Sequence, residues 1–382
     1  MPSLKSIVKP SFWALNLIIV FEILFMISPL ALYFYSLYGP MLRVFNGFEG
    51  TAWLTQFFLP HISDTTSPFL NLLRRLAGPL LLLGSVLFLG AAVPLYWAKF
   101  RRRGAVTTGL YAFIGHPQYL GLAILGLGTL LLWPRFLVLI GYLTMLFLYV
   151  VLAHWEESQC LAQYGESYRR HQERTGRFLA RVLSARLPTI LPASGGKRLV
   201  AALGVYVLFL GASVAAGFGL RDYALKAITA WYSEDSAVIS PALLSAAELR
   251  SAYRTATEDP RVQRELEPLE HAKRIVYVVP EVWSLADLPL DARPEAGGHH
   301  TPRNFDRRRY KLLFTRARAH QDASGAAILK TTYGLDPILR VRVDIAAAEV
   351  KRSKALHATS SGETSPPPCS EAGTTLNLTR EV

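Results

Sequence analysis

Residues 109–121 read GLYAFIGHPQYLG, and they open the stretch that decides the fold. An almost unbroken apolar run follows, from Gln118 to Ala153, interrupted at Trp133-Pro134-Arg135. Proline disfavours the continuation of a helix, so the run predicts two helices joined near Pro134. A second polar stretch comes next, beginning at Glu156-Glu157 and ending at Arg177-Phe178. A helical hairpin returns both ends to one side of a membrane, so we expect the two polar stretches to meet in one site at the bilayer surface.

Three more apolar blocks accompany this hairpin, at Phe12 to Leu37, Gly78 to Ala98 and Leu199 to Leu220. A hydrocarbon core of ~30 Å requires ~20 apolar residues per helix, a length that soluble core helices seldom need. We therefore predict an all-α polytopic membrane protein with about five transmembrane helices. The hairpin supplies the short middle pair, and a small C-terminal α+β extramembrane domain follows.

The basic residues predict the orientation and explain the net charge of +13. Residues 1–220 hold 18 Lys and Arg against 7 Asp and Glu, and most of the basic residues fall on one face if the N-terminus is cytoplasmic. We expect an integral protein of the bacterial inner membrane with a cytoplasmic active site. Anionic lipid headgroups account for the charge, so no nucleic-acid partner is predicted. The loop 39–77 and the chain after residue 220 then fall on the opposite side, unless the glycine-containing last helix is re-entrant.

The composition predicts three regions: a transmembrane domain at 1–220 with its motif core at about 75–190, a small α+β domain at 221–355, and a disordered tail at 356–382 rich in Ser, Thr, Gly and Pro. Within the second region we predict a helix over Pro241–Thr257. Four β-rich runs are predicted to be strands: Arg274–Val279, Tyr310–Thr315, Ala326–Thr332 and Ile338–Asp344. The two cysteines, Cys160 and Cys369, offer no metal cluster, so no metal site is predicted.

The polar stretches resemble the isoprenylcysteine carboxyl methyltransferase superfamily, which includes phospholipid N-methyltransferases. The family pattern Gly-x-Tyr-x-x-x-Arg-His-Pro-x-Tyr-x-Gly is matched by Gly109, Tyr111, His116, Pro117, Tyr119 and Gly121. The second pattern is matched by Glu156, Glu157, Leu161, Tyr164, Gly165, Tyr168, Arg169, Arg177 and Phe178. The resemblance covers roughly residues 75–190, and it implies methyl transfer from S-adenosylmethionine to a lipid or another amphipathic acceptor.

The resemblance also implies roles for these residues. It implies catalytic roles for Glu157 and Arg169, with Arg169 binding a carboxylate. It implies that His116 binds the polar end of the cofactor, that Pro117 shapes the turn, and that Glu156 or Glu157 accepts hydrogen bonds from the cofactor. Three tyrosines would wall the adenine or donate hydroxyl hydrogen bonds: Tyr111, Tyr119 and Tyr168. Carboxylate O-methylation is the favoured reaction, because a carboxylate acceptor needs no base.

Several alternatives stay open at this point. Gly115 stands where the family has arginine, which affects either cofactor affinity or substrate identity. Tyr111 and Tyr119 also suit an interfacial aromatic belt, and Glu156-Glu157 suits a solvated helix face. A phospholipid N-methyltransferase, an NADPH-dependent membrane reductase and a non-catalytic membrane scaffold are the alternative functions.

Overall fold

The computed structural model describes residues 39–61, 64–101, 105–178, 195–269, 272–284, 296–297, 301–302, 304–319 and 322–356, with the single residues Val20 and Leu24. The chain divides into two compact units. The first contains residues 1–37 and 73–217, and the second contains residues 38–72 and 218–382. The predicted disordered tail after residue 356 lies outside the described residues.

Helices and strands are numbered separately in chain order. The α-helices are α1 Gly39–Gly47, α2 Glu49–Ala52, α3 Pro68–Phe100, α4 Pro117–Leu132, α5 Phe136–Tyr164, α6 Glu166–Arg174, α7 Gly195–Ala227, α8 Ala246–Thr257, α9 Pro260–Leu266 and α10 Ala326–Thr331. The strands are β1 Thr229–Tyr232, β2 Ser236–Ser240, β3 Arg274–Pro280, β4 Trp283–Ser284, β5 Ala296–Gly297, β6 Arg309–Arg318, β7 Gly334–Asp344 and β8 Glu349–Ala355. Short 3₁₀ turns lie at Trp53–Thr55, Gly109–Ala112 and Glu267–Leu269.

The membrane-type character of the first unit is confirmed by its helices. Within the described ranges, three helices are long and apolar enough to cross a membrane: α3, α5 and α7. Helix α4 is a shorter apolar helix of 16 residues. Apart from Val20 and Leu24, the predicted span Phe12–Leu37 lies outside the described residues, so the count of five spans stays a prediction.

The predicted hairpin is present as α4 and α5, and its connection contains Pro134. Helix α5 is longer than predicted, at 29 residues, because it continues well past the apolar run. The residues that extend it include Glu, Gln, Ala and Leu, which are all good helix formers. Glu156 and Glu157 therefore lie inside a helix rather than after its end.

Helices α3 and α4 cross at very short range through glycines. A Cβ placed on Gly84 would lie 2.3 Å from the backbone nitrogen of Leu125, and one on Gly121 would lie 2.5 Å from that of Phe88. Small residues allow such close approach between membrane helices, where packing rather than the hydrophobic effect holds helices together. Gly121 therefore permits a close contact between α3 and α4.

Helix α7 packs on α5 through a small polar and aromatic contact. The hydroxyls of Thr144 and Tyr206 are hydrogen-bonded at 2.8 Å, and the rings of Phe147 and Tyr206 lie 4.7 Å apart. Helix α7 is one continuous helix, and very little of its apolar surface is buried. A long exposed apolar surface of this kind suits contact with lipid.

The second unit is built on a six-stranded sheet of described residues, in the order β1-β2-β3-β6-β7-β8. Within the described residues of this sheet, β2–β3 is the only parallel pair. Helices α8 and α9 pack on one face, over a core that includes Val238, Val276 and Val341. Helix α8 begins at Ala246, later than predicted, because Ser245 and Glu248 form a capping box at its start.

The sheet unit also contains the loop before α3. The amide of Asp64 donates to the carbonyl of Pro241 at 2.9 Å, and the side chain of Gln56 donates to the carbonyl of Thr332. The predicted topology puts both segments on the same side of the membrane, and their union in one unit agrees with it. Which side that is stays a prediction.

One predicted strand is wrong. The sequence predicts a strand over residues 326–332, but Ala326–Thr331 is the helix α10. Gly325 precedes it at φ +54°, a conformation that turns the chain sharply, and Ala-Ala-Ile-Leu-Lys are mostly good helix formers. The other three predicted strands are confirmed as β3, β6 and β7.

Candidate active site

His116 is placed by the start of α4. It is the N-cap residue, and Pro117 occupies the first helical position, where its fixed φ suits the helix and its missing N–H costs nothing. Gly109, at φ +64°, begins the 3₁₀ turn that leads into this segment. The residue His116 is only 4% exposed, so its side chain faces the interior of the first unit.

A short strap of four residues, 175–178, lies against the entrance to α4. The amide of Gly115 donates to the carbonyl of Gly176 at 2.8 Å, and that of His116 donates to the carbonyl of Arg177 at 2.9 Å. Gly165, at φ +55°, redirects the chain after α5 and allows α6 to bring the strap back. Through the strap, the far end of the second polar stretch reaches the first.

Arg177 in the strap forms a bidentate ion pair with Glu157. Its Nε and Nη2 atoms donate to the two carboxylate oxygens at 2.7 and 2.6 Å. Its Nη1 lies 2.8 Å from Nε2 of His154. Arginine can only donate, so His154 accepts at Nε2 and its proton sits on Nδ1, which donates to the carbonyl of Val150 at 2.7 Å.

His116 lies between the two glutamates. Its Nδ1 is 3.3 Å from Oε2 of Glu156, and its Nε2 is 3.4 Å from Oε1 of Glu157. Burial opposes a charge on the ring, but the negative charges of the two adjacent carboxylates outweigh it and raise the pKa of His116 above its ordinary value. Among the described residues, none completes a well-aligned hydrogen bond to the buried Nε2.

Tyr119 completes the group. Its hydroxyl donates to Oε1 of Glu156 at 2.5 Å, and its ring stacks on His116 at 5.5 Å and on Tyr149 at 4.7 Å. The hydroxyl of Tyr149 is buried and has no hydrogen-bond partner in the described part of the chain. We refer to His116, Tyr119, Glu156, Glu157 and Arg177 as the polar cluster.

The cluster contains four of the eight predicted site residues, namely His116, Tyr119, Glu156 and Glu157. Pro117 follows His116 at the start of α4, and the other three lie around the cluster or away from it. Tyr111 is buried and donates to Gln118 at 3.1 Å. The pKa of the Tyr168 phenol is raised, mainly by burial. The negative charges of both glutamates also raise it, so Tyr168 lies near the cluster. Arg169 is 67% exposed and pairs at 3.9 Å with Glu173 on its own helix, away from the cluster.

Sequence reasoning missed four neighbours of the cluster. Tyr149 and His154 sit within the apolar run and at its end, where nothing in the pattern distinguishes them from packing residues. Tyr96 and Lys99, near the end of α3, interact electrostatically with Glu156. Their distance along the sequence from the motifs does not indicate a contact with Glu156, because α3 lies outside the hairpin that the motifs flank.

A comparison with family models assigns a family to the segment that contains most residues of the polar cluster. Residues 73–167 match the phospholipid methyltransferase family. The resemblance seen in the motifs is therefore confirmed for this segment, which falls in the superfamily of isoprenylcysteine carboxyl methyltransferases and phospholipid methyltransferases. The phospholipid methyltransferase segment spans about a quarter of the chain and indicates a membrane methyltransferase.

The match ends before the strap, so Arg177 lies outside the phospholipid methyltransferase segment although it binds Glu157 inside it. The sheet unit after residue 218 is likewise outside the match. No curated protein and no solved structure matches the chain.

Proposed function

We propose that this protein transfers a methyl group from S-adenosylmethionine to a lipid or another amphipathic acceptor, at the polar cluster. The observation that carries the proposal is the meeting of His116, Glu156, Glu157 and Arg177 at the two ends of one hairpin. Two separate sequence motifs supply these groups, and the first three lie inside the phospholipid methyltransferase segment.

The donor set of the cluster suits this cofactor. S-adenosylmethionine carries an ammonium group and ribose hydroxyls that donate hydrogen bonds, and Glu156 is an acceptor whose side chain is 35% exposed. The buried Nε2 of His116 and hydroxyl of Tyr149 are further polar atoms available to a ligand. When bound, the cofactor supplies a methyl group already activated on a sulfonium. The residues of the chain then need only to bind and orient the cofactor and the acceptor and to exclude water.

In this proposal, Arg177 and Glu157 would mainly hold the strap in position. The ion pair occupies both carboxylate oxygens of Glu157 and closes the strap over His116. Gly115, where the family has arginine, lies against the strap, and Arg177 of the strap is itself a match to the second family pattern. A Cβ at Gly115 would lie no nearer than 3.5 Å to any neighbour, so space alone does not exclude a side chain there.

The favoured acceptor is a carboxylate. It arrives ionised, so the reaction needs no general base. The family match supports a second candidate, the amine of a phospholipid headgroup. An amine must lose a proton before it attacks, and the partly exposed Glu156 is the carboxylate placed to accept one.

One experiment separates these candidates. The full chain, reconstituted in lipid discs made from membrane extract, is incubated with S-adenosylmethionine that carries a labelled methyl group. We expect label in the lipid fraction; a methyl ester releases it as methanol in alkali, whereas an N-methyl group retains it.

The variants His116→Ala and Glu157→Gln should each lose most of the incorporation and most of the cofactor binding. Glu166→Gln, which alters an exposed pair on α6, is the matched control and should keep both. Folded protein that incorporates no label would favour a membrane scaffold. Binding of NADPH instead of S-adenosylmethionine would favour a reductase.

A further inference from the structure

One end of the sheet in the second unit carries three arginines, Arg274 on β3 and Arg316 and Arg318 on β6, which we call the arginine cluster. In the strand register, Arg274 lies directly opposite Arg316. Side chains alternate along a strand, so Arg318 is on the same face as Arg316. Like charges placed opposite each other destabilise a sheet, so folding alone does not favour this arrangement.

An acidic side chain compensates the charge of the cluster only in part. Asp336 on β7 lies opposite Arg316, and its carboxylate is 3.2 Å from Nη2 of Arg316 and 3.7 Å from Nη2 of Arg318. The side chain of Arg274 forms no ion pair with any residue that the structure describes. One carboxylate is therefore shared by two of the three guanidinium groups.

Two of the guanidinium groups contain buried donors that are not satisfied. The Nε atoms of Arg274 and Arg318 are both buried, and neither has a hydrogen-bond partner among the described residues. A buried donor without a partner costs free energy, and such groups are rare in folded proteins. A Cβ at Gly334 would lie 2.6 Å from Nε of Arg318, so the missing side chain of this glycine makes room for the guanidinium. These donors are in place for the acceptor atoms of a ligand.

The strand register shows which face of the sheet carries the arginine cluster. Val276 lies two positions after Arg274, directly opposite Phe314, and both belong to the core over which α8 and α9 pack. Residues two positions apart on a strand share a face, so Arg274 and Arg316 lie on the α8 face. The cluster is therefore at the end of that face.

The surroundings of the cluster include two hydroxyl groups and open solvent. Ser236 lies beside Arg274 in the register of β2 and β3, and its hydroxyl is 3.2 Å from that of Tyr253 on α8. The side chains of Arg316 and Arg318 are 49% and 40% exposed. A ligand can therefore reach the cluster from solvent, on the side away from α8.

We propose that the arginine cluster binds the dianionic phosphate group of a soluble phosphate monoester. Three arginines and one aspartate leave two positive charges, and a phosphate monoester carries a charge of about −1.5 to −2 at pH 7. The planar fork of arginine matches the spacing of phosphate oxygens. A single carboxylate brings one negative charge and is the weaker fit.

A neighbouring acid does not change this balance. Asp235, in the turn beside Arg274, is engaged by Lys273 at 2.6 Å. The proposal concerns the second unit alone, so it goes beyond the methyl transfer reaction and is independent of it.

Binding of radiolabelled inorganic phosphate tests the proposal. The full chain is kept in an uncharged detergent without phosphate, and the bound label is measured by equilibrium dialysis at constant ionic strength. We expect saturable binding. Unlabelled glycerol phosphate and sulfate, which both carry doubly charged tetrahedral groups, should displace the label, whereas acetate at the same concentration should displace far less.

The informative variant is Arg274→Gln, because it removes the guanidinium that has no ion pair. Loss of a charge-assisted contact should weaken phosphate binding about tenfold or more. Thermal stability should stay the same or rise, because a like charge opposite Arg316 is removed. Arg274→Lys keeps the charge without the fork, so its affinity should fall between those of the wild type and Arg274→Gln.

The matched control is Arg308→Gln, which removes the same charge just before the other end of β6, where Arg308 pairs with Asp306 at 3.0 Å. Phosphate binding should not change in this variant. Arg318→Gln removes the second unsatisfied Nε and should weaken binding independently of Arg274.

Three results would overturn the proposal. One is the absence of saturable phosphate binding by the wild type. Another is equal displacement by sulfate and acetate, which would indicate general attraction to a basic surface. The third is equal phosphate affinity of Arg274→Gln, Arg318→Gln and Arg308→Gln; if Arg274→Gln then also lost thermal stability, its guanidinium would have a purely structural role.

Discussion

The substitution Glu157→Gln tests the central contact of the candidate site. Glu157 receives two hydrogen bonds from Arg177, at 2.7 and 2.6 Å, and Arg177 belongs to the strap that covers His116. A glutamine keeps the shape of the side chain, but it has one acceptor oxygen and places an amide group against the guanidinium. We expect the strap to open more often, while the hairpin itself stays folded.

The size of this effect follows from the exposure of the pair. Breaking one side of a fully buried pair costs about 3–5 kcal/mol, whereas exposed pairs contribute about 0–1 kcal/mol. The Glu157 side chain is 12% exposed and that of Arg177 is 36% exposed, so water screens the arginine in part. We therefore expect a loss of about 2 kcal/mol, which raises the opening equilibrium of the strap about 30-fold.

Hydrogen exchange measures this opening directly. The amides of Gly115 and His116 donate to carbonyls of the strap, so their exchange should accelerate about 30-fold in Glu157→Gln, while amides within α4 and α5 keep their rates. Glu166→Gln removes only an exposed pair at 3.9 Å and should change neither group of amides. Unchanged exchange at Gly115 and His116 would refute the argument that this ion pair holds the strap. Acceleration throughout the helices would indicate general unfolding instead.

Three further predictions concern the same unit. Gly84→Ala should lower the stability of the protein in detergent by about 1–3 kcal/mol, because the new methyl group meets the backbone of α4. Gly78 has open space around it, so Gly78→Ala should not lower the stability. Thermal unfolding of the two variants in detergent measures the difference. Folding raises the pKa of His116, so protonation of this residue stabilises the folded protein. The stabilisation is complete below the ordinary pKa of histidine and is lost as the pH rises through the raised pKa. The melting temperature of the wild type should therefore fall more with rising pH than that of His116→Gln. Tyr149→Phe should leave thermal stability unchanged or slightly higher, since it removes a buried unpaired hydroxyl, yet weaken binding of S-adenosylmethionine in a direct titration; unchanged affinity would exclude a binding role for that hydroxyl.

The candidate site shows where sequence reasoning stops. Arg169 and Arg177 look alike in the sequence, since both are basic residues that follow the same apolar run. Only the positive φ of Gly165, the length of α6 and the backbone contacts of the strap bring Arg177, and not Arg169, to Glu157. The roles of these residues in catalysis stay a prediction that the experiments above address.

The sequence alone determined the helical hairpin, the membrane character of the described helices and three strands of the sheet. Each depends on local periodicity or on the length of an apolar run, and both can be read along the chain. Tertiary structure decided the rest: which arginine meets which glutamate, that Ala326–Thr331 is a helix, and that the loop before α3 joins the sheet unit. The physical reason is that these outcomes depend on contacts between segments far apart in sequence, and no local pattern records the free energy of such contacts.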